Sequence, residues 1–150
     1  MPYYKSPGPI NLLLVEDNLA DIRLTQEVLK ESKIHYNLNV VTDGEEAMDY
    51  LNKINKHAHA ETPDLVILDL NIPKKDGREV LKEIKSDSIL KSIPVIILTT
   101  SISESDILNT YNHHANCYLM KSIDLNEFVN VIKSIEDFWL TIVKLPVKEN

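Results

Sequence analysis

Charged residues stand at the ends of several short apolar runs in this sequence. The runs are Ile10 to Val15, Leu65 to Leu68 and Cys117 to Met120. The charged residues that follow them are Glu16, Asp17, Asp69 and Lys121. Such runs, each followed by helix-like sequence, predict buried parallel strands, and open α/β sheets bind ligands at the carboxyl ends of their strands. We therefore expect these acids and the lysine to form one site.

Ionised carboxylates cannot share a small volume without compensation. Two unit charges ~5 Å apart repel by roughly 3 kcal/mol at an effective dielectric of about 20. Lys121 supplies one positive charge against Glu16, Asp17 and Asp69, so two negative charges are left to be balanced. A divalent cation would balance them, and an all-oxygen donor set favours Mg²⁺ or Mn²⁺ over Zn²⁺. Because Mg²⁺ keeps water-filled positions beside its protein ligands, the site suits a phosphate-bearing partner.

Two threonines, Thr99 and Thr100, end a further apolar run and are expected at the same sheet edge. A hydroxyl there can donate a hydrogen bond to a phosphoryl oxygen. Plainer interpretations stay open at this point. The acids could be solvated groups that end strands, and the threonines could be ordinary strand-end residues.

The predicted elements alternate between strand and helix along the chain. Strands are expected at residues 11–15, about 38–41, 64–70, 95–98 and 117–120. An acceptor side chain followed three residues later by an acid marks helix starts at Asp43, Ser103 and Asp124. The last helix is expected to continue to about Leu145. Five strand-then-helix units predict an α/β fold, a doubly wound five-stranded parallel sheet with five helices of the flavodoxin-like type.

Composition bounds the possible functions. A chain of 150 residues with 43% hydrophobic content predicts a single domain, at residues 10–145. A flexible arm (1–9) is expected before it and a short tail (146–150) after it. This tail is too short for a DNA-binding module. The net charge of −7 argues against a nucleic-acid or anionic-membrane surface. The only cysteine, Cys117, is expected to be a buried structural thiol. With neither a membrane span nor a secretory signal in the sequence, we expect a cytoplasmic protein.

Taken together, these motifs resemble those of a known family. Besides the charged residues, the motif includes the string Leu68-Asp69-Leu70-Asn71-Ile72-Pro73, the pair Asp76-Gly77, and Thr99 and Tyr118. This combination resembles the receiver domain of bacterial two-component response regulators over nearly the whole chain. A longer string, Asn71 to Leu81, is similar to that of the small stand-alone regulators that serve cyanobacterial phytochromes.

The resemblance implies a phosphorylation-dependent switch that catalyses only its own phosphoryl transfer and slow dephosphorylation. Asp69 would accept the phosphoryl group from a phosphohistidine on a sensor histidine kinase, expected to be a phytochrome. The implied cofactor is Mg²⁺, for which Mn²⁺ can substitute. Its direct ligands would be Asp17, Asp69 and the backbone carbonyl of Asn71, with Glu16 acting through water. Output would be a protein–protein contact.

The resemblance also implies roles for three residues around the acceptor. Lys121 would pair with the phosphoryl group, Thr99 would hydrogen-bond it after transfer, and Tyr118 would then turn into the space that Thr99 leaves. One position departs from the family pattern, because Ser122 stands where a proline, often after a cis bond, usually follows the lysine. A non-proline cis bond costs ~3 kcal/mol, so the state of this bond and the exact aim of Lys121 stay open here.

The last predicted helix carries a wide apolar stripe that places Phe138 and Trp139 late in the helix. Core packing explains much of such a stripe, but exposed aromatic residues also mark interfaces. We expect a homodimer, or a dimer with the kinase, formed through the fourth and fifth helices.

Two other functions use a similar sheet. A Mg²⁺-dependent phosphatase of the haloacid dehalogenase type also uses a strand-end aspartate, but it needs a second acid two residues later, where this chain has Asn71. A flavodoxin-like cofactor carrier needs a glycine-rich or hydroxyl-rich phosphate loop after the first strand. Glu16 and Asp17 occupy that place and would repel a phosphate unless a metal ion intervened.

Overall fold

The structure is a computed structural model that describes residues 8–146. The predicted arm and tail therefore lie almost wholly outside the described residues. Within the described part, five parallel strands alternate with five helices, as the sequence predicts. The strands are β1 (Ile10–Val15), β2 (Tyr36–Val41), β3 (Leu65–Leu68), β4 (Val95–Thr99) and β5 (Cys117–Met120). The helices are α1 (Leu19–Lys30), α2 (Gly44–Asn52), α3 (Gly77–Ser86), α4 (Glu104–Asn112) and α5 (Leu125–Trp139).

Each of these helices begins after a residue whose side chain accepts a hydrogen bond from a first-turn backbone N–H group. The predicted caps Asp43, Ser103 and Asp124 accept from the backbone N–H of the residue three positions later. Asn18 caps α1 in the same manner, whereas Asp76 caps α3 by accepting from the backbone N–H of Arg78, two positions later. Because the first N–H groups of a helix have no partner inside it, these caps fix where each helix starts and how each preceding loop ends.

The strand order is β2-β1-β3-β4-β5, and every neighbouring pair is parallel. After β1 the chain adds β2 on one side, and β3 then pairs on the other side of β1. The crevice between β1 and β3, where the chain changes direction across the sheet, is the place where ligands bind in open α/β folds. The loops that follow β1 and β3 therefore meet at this point.

Alternate residues of the central strands pack on opposite faces of the sheet. On β1, Leu12 and Leu14 belong to the core that also contains the apolar faces of α1 and α5. Leu13 and Val15 belong to the other core, which contains the apolar faces of α2 and α3. The sheet is thus covered on both sides, and this explains why its central strands read as continuous apolar runs.

Two sequence predictions are wrong at the carboxyl end of the chain. Helix α5 ends at Trp139 rather than near Leu145, and the backbone N–H groups of Ile142 and Val143 both donate to the carbonyl of Phe138. The run Thr141 to Val143 is β-branched, and such residues lose side-chain freedom in a helix. Cys117 is only half-buried, because β5 is the edge strand of the sheet.

Among the helices of residues 8–146, none has the length and the apolar content needed to cross a bilayer.

Candidate functional site

The acids predicted from the sequence converge where β1 and β3 end. Glu16 and Asp17 follow β1 directly, and Asp69 follows β3. The two strands pair in parallel with Val15 opposite Leu68, so their following residues lie side by side. One carboxylate oxygen of each acid lies within 4.8 Å of the others. Among the described residues, no other group of three or more His, Cys, Asp or Glu side chains lies close enough together to hold a metal ion. Glu16 and Asp69 are buried, whereas Asp17 is exposed.

Lys121 reaches into this cluster from the end of β5. Its Nζ atom donates to Asp69 Oδ2 at 2.9 Å, and it also contacts Glu16 Oε1. Its side chain is only 4% exposed. The backbone N–H group of Lys121 donates to the carbonyl of Thr99 at 2.7 Å, which ties the lysine to the end of β4. The structure therefore brings Glu16, Asp17, Asp69 and Lys121 together, as expected.

Asp21 is a member of the site that the sequence analysis missed. Lys121 Nζ donates to Asp21 Oδ2 at 2.9 Å, at the same length as its bond to Asp69. Asp21 lies in the first turn of α1, and its backbone N–H group donates to the cap residue Asn18. The available signal was its place three residues after Asn18, because the first turn of a helix that follows β1 faces the same sheet edge.

The cluster carries more negative charge than its lysine balances. With Asp21 included, four carboxylates face one ammonium group, so three negative charges are uncompensated when all are ionised. Burial raises the pKa of Glu16, and the charge of Asp69 adds to this effect while Lys121 opposes it. Burial alone would lower the pKa of Lys121, but its bonds to Glu16, Asp69 and Asp21 outweigh burial and raise it. The lysine is therefore held charged.

Glu16 is immobilised at both oxygens. Oε1 contacts Lys121, and Oε2 accepts from the backbone N–H groups of Asp17 (3.1 Å) and Asn18 (3.3 Å). Asp69 is held in a similar manner, since its Oδ1 accepts from the backbone N–H of Asn71 at 3.1 Å while Oδ2 faces the lysine. Side chains with fixed orientations form a preorganised set of oxygens, which is what binding of a small hard cation requires.

Thr99 and Tyr118 border the cluster on the β4 side. Thr99 is fully buried at the end of β4, and its Oγ1 accepts from the backbone N–H of Ser101 at 3.5 Å. The Tyr118 hydroxyl donates to the carbonyl of Ser101 at 2.9 Å, and its ring packs partly against the core beside α2 and α3. One loop residue, Ser101, thus touches both residues that the sequence analysis assigned to the switch.

Gly77 allows α3 to begin against the backbone of Asp69. Its N–H group donates to the carbonyl of Leu70 at 3.0 Å. A Cβ atom at this position would lie 2.3 Å from the carbonyl oxygen of Asp69, far inside van der Waals contact. Only glycine lets the two backbones approach this closely. The Asp76-Gly77 pair therefore has a structural explanation in addition to its value as a family motif.

The Lys121–Ser122 peptide bond is trans. Ser122 begins a cap for α5, because its hydroxyl donates to Glu127 Oε2 at 2.6 Å and accepts from the backbone N–H of Asp124 at 3.0 Å. A proline at this position could not make these bonds. The lysine nevertheless contacts Asp69, so the orientation of its side chain does not require the proline that the family usually has at the next position.

The two aromatic residues assigned to an interface differ in exposure. Phe138 is 51% exposed. Trp139 packs against the core beside α1 and α5 and contacts Phe138 edge to face, with 5.9 Å between ring centroids. Of the pair, Phe138 is the one that offers apolar surface to a partner.

The fold and the site define a class of protein. A doubly wound parallel sheet presents, at its switch point, oxygen donors suited to Mg²⁺ or Mn²⁺, a buried lysine and a strand-end hydroxyl. The chain matches the family model "response regulator receiver domain" over residues 12–133. It belongs to that family, and as such it is a signalling switch rather than a classical enzyme.

Relatives and solved structures agree with this assignment. The response regulator Rcp1 of Synechocystis sp. is 49% identical over 142 residues, which cover 95% of this chain and 97% of Rcp1. The crystal structure of the Mn²⁺-bound form of Rcp1 has a TM-score of 0.91 at 50% identity and covers 93% of this chain and 100% of that chain. The phosphorylated cyanobacterial phytochrome response regulator RcpA has the same TM-score at 52% identity, with coverage of 93% and 100%.

These comparisons do not support the haloacid dehalogenase alternative. That class needs an acid two residues after the nucleophile, and the residue at that place is Asn71. A divalent-metal site, by contrast, agrees with both the family and the carboxylate cluster.

Proposed function

We propose that this receiver domain accepts a phosphoryl group on Asp69 from a phosphohistidine of a sensor histidine kinase. In the transfer, an Asp69 carboxylate oxygen forms the new bond to phosphorus as the phosphorus–nitrogen bond to histidine breaks, and the electron pair leaves with the imidazole. The single observation that carries the proposal is the contact of a buried lysine with a buried strand-end aspartate inside an acidic cluster. That contact joins a nucleophile to a cation that can neutralise phosphoryl oxygens.

We assign the metal ligands as Asp17, Asp69 and the backbone carbonyl of Asn71, with Glu16 acting through water. The donor set fits Mg²⁺, since it contains only oxygen atoms and a surplus of negative charge. When bound, the metal ion would supply positive charge beside the phosphoryl oxygens. Mn²⁺ would serve in its place, as both ions prefer such ligands.

The remaining roles concern the phosphorylated state. Lys121 would exchange its contact with Asp69 for one with the phosphoryl group, which brings about −1.5 to −2 charges to the site. Thr99 would donate its hydroxyl to a phosphoryl oxygen. Tyr118, now bonded to the Ser101 carbonyl, would follow the loop as Thr99 moves. Slow loss of the phosphoryl group to water would reset the switch.

The partner proposed is a phytochrome with histidine kinase activity, and the location proposed is the cytoplasm. The support is the likeness to RcpA, a cyanobacterial phytochrome response regulator, at 52% identity. Output would be a protein–protein contact, with a homodimer formed through α4 and α5. Phe138 supplies exposed apolar surface for this contact, and Trp139 supports its ring from within the domain.

The test is phosphorylation by acetyl phosphate in the presence of Mg²⁺, followed by intact mass. We expect a gain of about 80 Da, the mass of one phosphoryl group in an aspartyl phosphate. Asp69→Asn should abolish the gain, and so should removal of the metal with EDTA. Asp64→Asn is a matched control, since Asp64 lies at the opposite end of β3 and should leave the gain unchanged. Phosphorylation of Asp69→Asn at the normal level would refute the assignment of the acceptor.

A further inference from the structure

Among residues 8–146, Arg78 makes the most extensive ion-pair contacts outside the acidic cluster. Its Nε and Nη2 atoms donate to the two oxygens of Asp106 at 2.7 and 2.6 Å, a two-point contact between α3 and α4. Its Nη1 atom also donates to both oxygens of Asp76, at 3.2 and 3.0 Å. The Asp106 side chain is 15% exposed and that of Arg78 is 37% exposed. A two-point guanidinium–carboxylate pair fixes orientation as well as distance.

Asp106 connects this pair to the loop after β4. Its Oδ2 atom accepts from the hydroxyl of Ser101 at 2.6 Å. The same hydroxyl accepts from the backbone N–H of Ser103, the cap of α4, at 3.3 Å. The pKa of Asp106 is lowered to about 2 by its hydrogen bonds from Arg78 and Ser101, so this carboxylate stays charged at neutral pH.

Ser101 in turn touches the two residues beside the phosphoryl site. Its N–H group donates to Thr99 Oγ1 at 3.5 Å, and its carbonyl accepts from the Tyr118 hydroxyl at 2.9 Å. This one residue therefore contacts the oxygen of the Thr99 hydroxyl and supplies the acceptor for the Tyr118 hydroxyl. The first contact is long and easily exchanged, as expected of a hydroxyl that must turn to another partner.

The other end of the network rests on the backbone of the acceptor. Arg78 is the second residue of α3, directly after Gly77, whose close approach to the Asp69 carbonyl sets where that helix begins. The guanidinium is therefore placed relative to Asp69, and through Asp106 and Ser101 it places the loop that carries the Thr99 hydroxyl.

We infer that Arg78 is a positioning residue for phosphoryl transfer, which acts by holding Asp106 and Ser101 so that the Thr99 hydroxyl is presented to the phosphoryl group. The inference rests on the proposed function of Asp69. Arg78 itself touches neither the acceptor nor the lysine in this network. Its contribution is to keep the β4–α4 loop in one arrangement before and during transfer, which lowers the cost of ordering that loop around the incoming group.

The experiment measures the rate of phosphorylation by acetyl phosphate and Mg²⁺ in Arg78→Gln, Asp106→Asn and the double variant. Each single variant should be roughly tenfold slower, the size of effect expected when a hydrogen-bonding group is misplaced. The double variant should be no slower than either single variant, because each single substitution already removes the same contact, the Arg78–Asp106 pair. Arg78→Lys should recover only part of the rate, since lysine keeps the charge but not the two-point geometry.

The background Thr99→Ala separates positioning from plain stabilisation. If Arg78 acts through the Thr99 hydroxyl, then Arg78→Gln causes no further loss of rate in Thr99→Ala. Its effect on the midpoint of urea unfolding should be the same in both backgrounds. Glu83→Gln is the matched control, because it removes the charge that Glu83 of α3 presents to Lys75 at 2.7 Å and does not reach the β4–α4 loop.

Two results would overturn the inference. One is a wild-type rate in Arg78→Gln, and the other is an equal fractional loss with and without the Thr99 hydroxyl. Either would leave the proposed function intact, since Asp69 would still accept the group. Absence of phosphorylation in the wild-type protein would instead refute the proposed function.

Discussion

Replacing Lys121 with methionine tests the electrostatic account of the site most directly. Methionine keeps much of the side chain's length and apolar stem but removes the positive charge that faces Glu16, Asp21 and Asp69. The side chain is 4% exposed, so solvent screens its charge only weakly. Removing one partner of a buried ion pair typically costs about 3–5 kcal/mol, because the other charge is left uncompensated.

The net cost should be at the lower end of that range. Burial already raises the pKa of Glu16, so this carboxyl can take up a proton and relieve part of the repulsion. We expect Lys121→Met to lower the free energy of unfolding by about 3 kcal/mol at neutral pH without metal. For a domain of this size, this is a fall in melting temperature of roughly 6–12 °C.

The sign of the pH and metal dependence follows from the same argument. Burial raises the pKa of Glu16 and Lys121 opposes that rise, so without the lysine the folded variant binds a proton at Glu16 more readily and becomes relatively more stable as the pH falls. The deficit should therefore shrink between neutral pH and about pH 5.5. Saturating Mg²⁺ should also shrink it, because the ion supplies the missing positive charge. Phosphorylation should still be slow, since no lysine pairs with the phosphoryl group.

The assay is urea unfolding followed by circular dichroism, in EDTA and in Mg²⁺, at the two pH values. Lys75→Met is the matched control, because it removes the same charge from a more exposed pair with Glu83. That control should change the unfolding free energy by less than about 1 kcal/mol. Equal stability of Lys121→Met and Lys75→Met in EDTA, or a deficit that Mg²⁺ does not reduce, would refute the reasoning.

Three further predictions concern other parts of the domain. Asp106→Asn should be less stable than wild type by about 1 kcal/mol above pH ~4, a figure reduced for solvent screening because Arg78 is 37% exposed. This difference in stability should disappear as the pH falls through about 2, the pKa of Asp106. Acid titration of both proteins measures it. Gly77→Ala should lower the unfolding free energy by more than about 2 kcal/mol, because its Cβ would overlap the Asp69 carbonyl, and chemical denaturation measures it. Phe138→Ser should weaken the proposed homodimer with little change in stability, as its ring is 51% exposed, and analytical ultracentrifugation of the phosphorylated protein would show it.

Much of the architecture could be predicted because its signals are local. Continuous apolar runs predicted the central strands, which are buried on both faces of the sheet. The caps Asp43, Ser103 and Asp124 were readable because a capping side chain and its partner lie three residues apart in sequence. The convergence of Glu16, Asp17 and Asp69 was predictable too, since parallel strands place their carboxyl ends at one edge.

Other features depended on contacts between distant segments. Asp21 pairs with a lysine 100 residues later, and its place in the first turn of α1 indicates the sheet edge that it faces but not this partner. The Arg78–Asp106 contact spans 28 residues and two helices. The early end of α5 and the half-exposed edge strand β5 likewise follow from what each segment packs against rather than from its composition.

The sequence by itself determined the fold class, the order of the elements and the acidic cluster with its lysine, because hydrophobic periodicity and helix caps are encoded within a few residues. Only the tertiary structure decided that Asp21 also shares the site, that the Lys121–Ser122 bond is trans, and that Arg78 reaches the loop beside Thr99. The physical reason is that the direction and strength of an electrostatic contact depend on distance and burial in three dimensions, which a linear pattern does not specify.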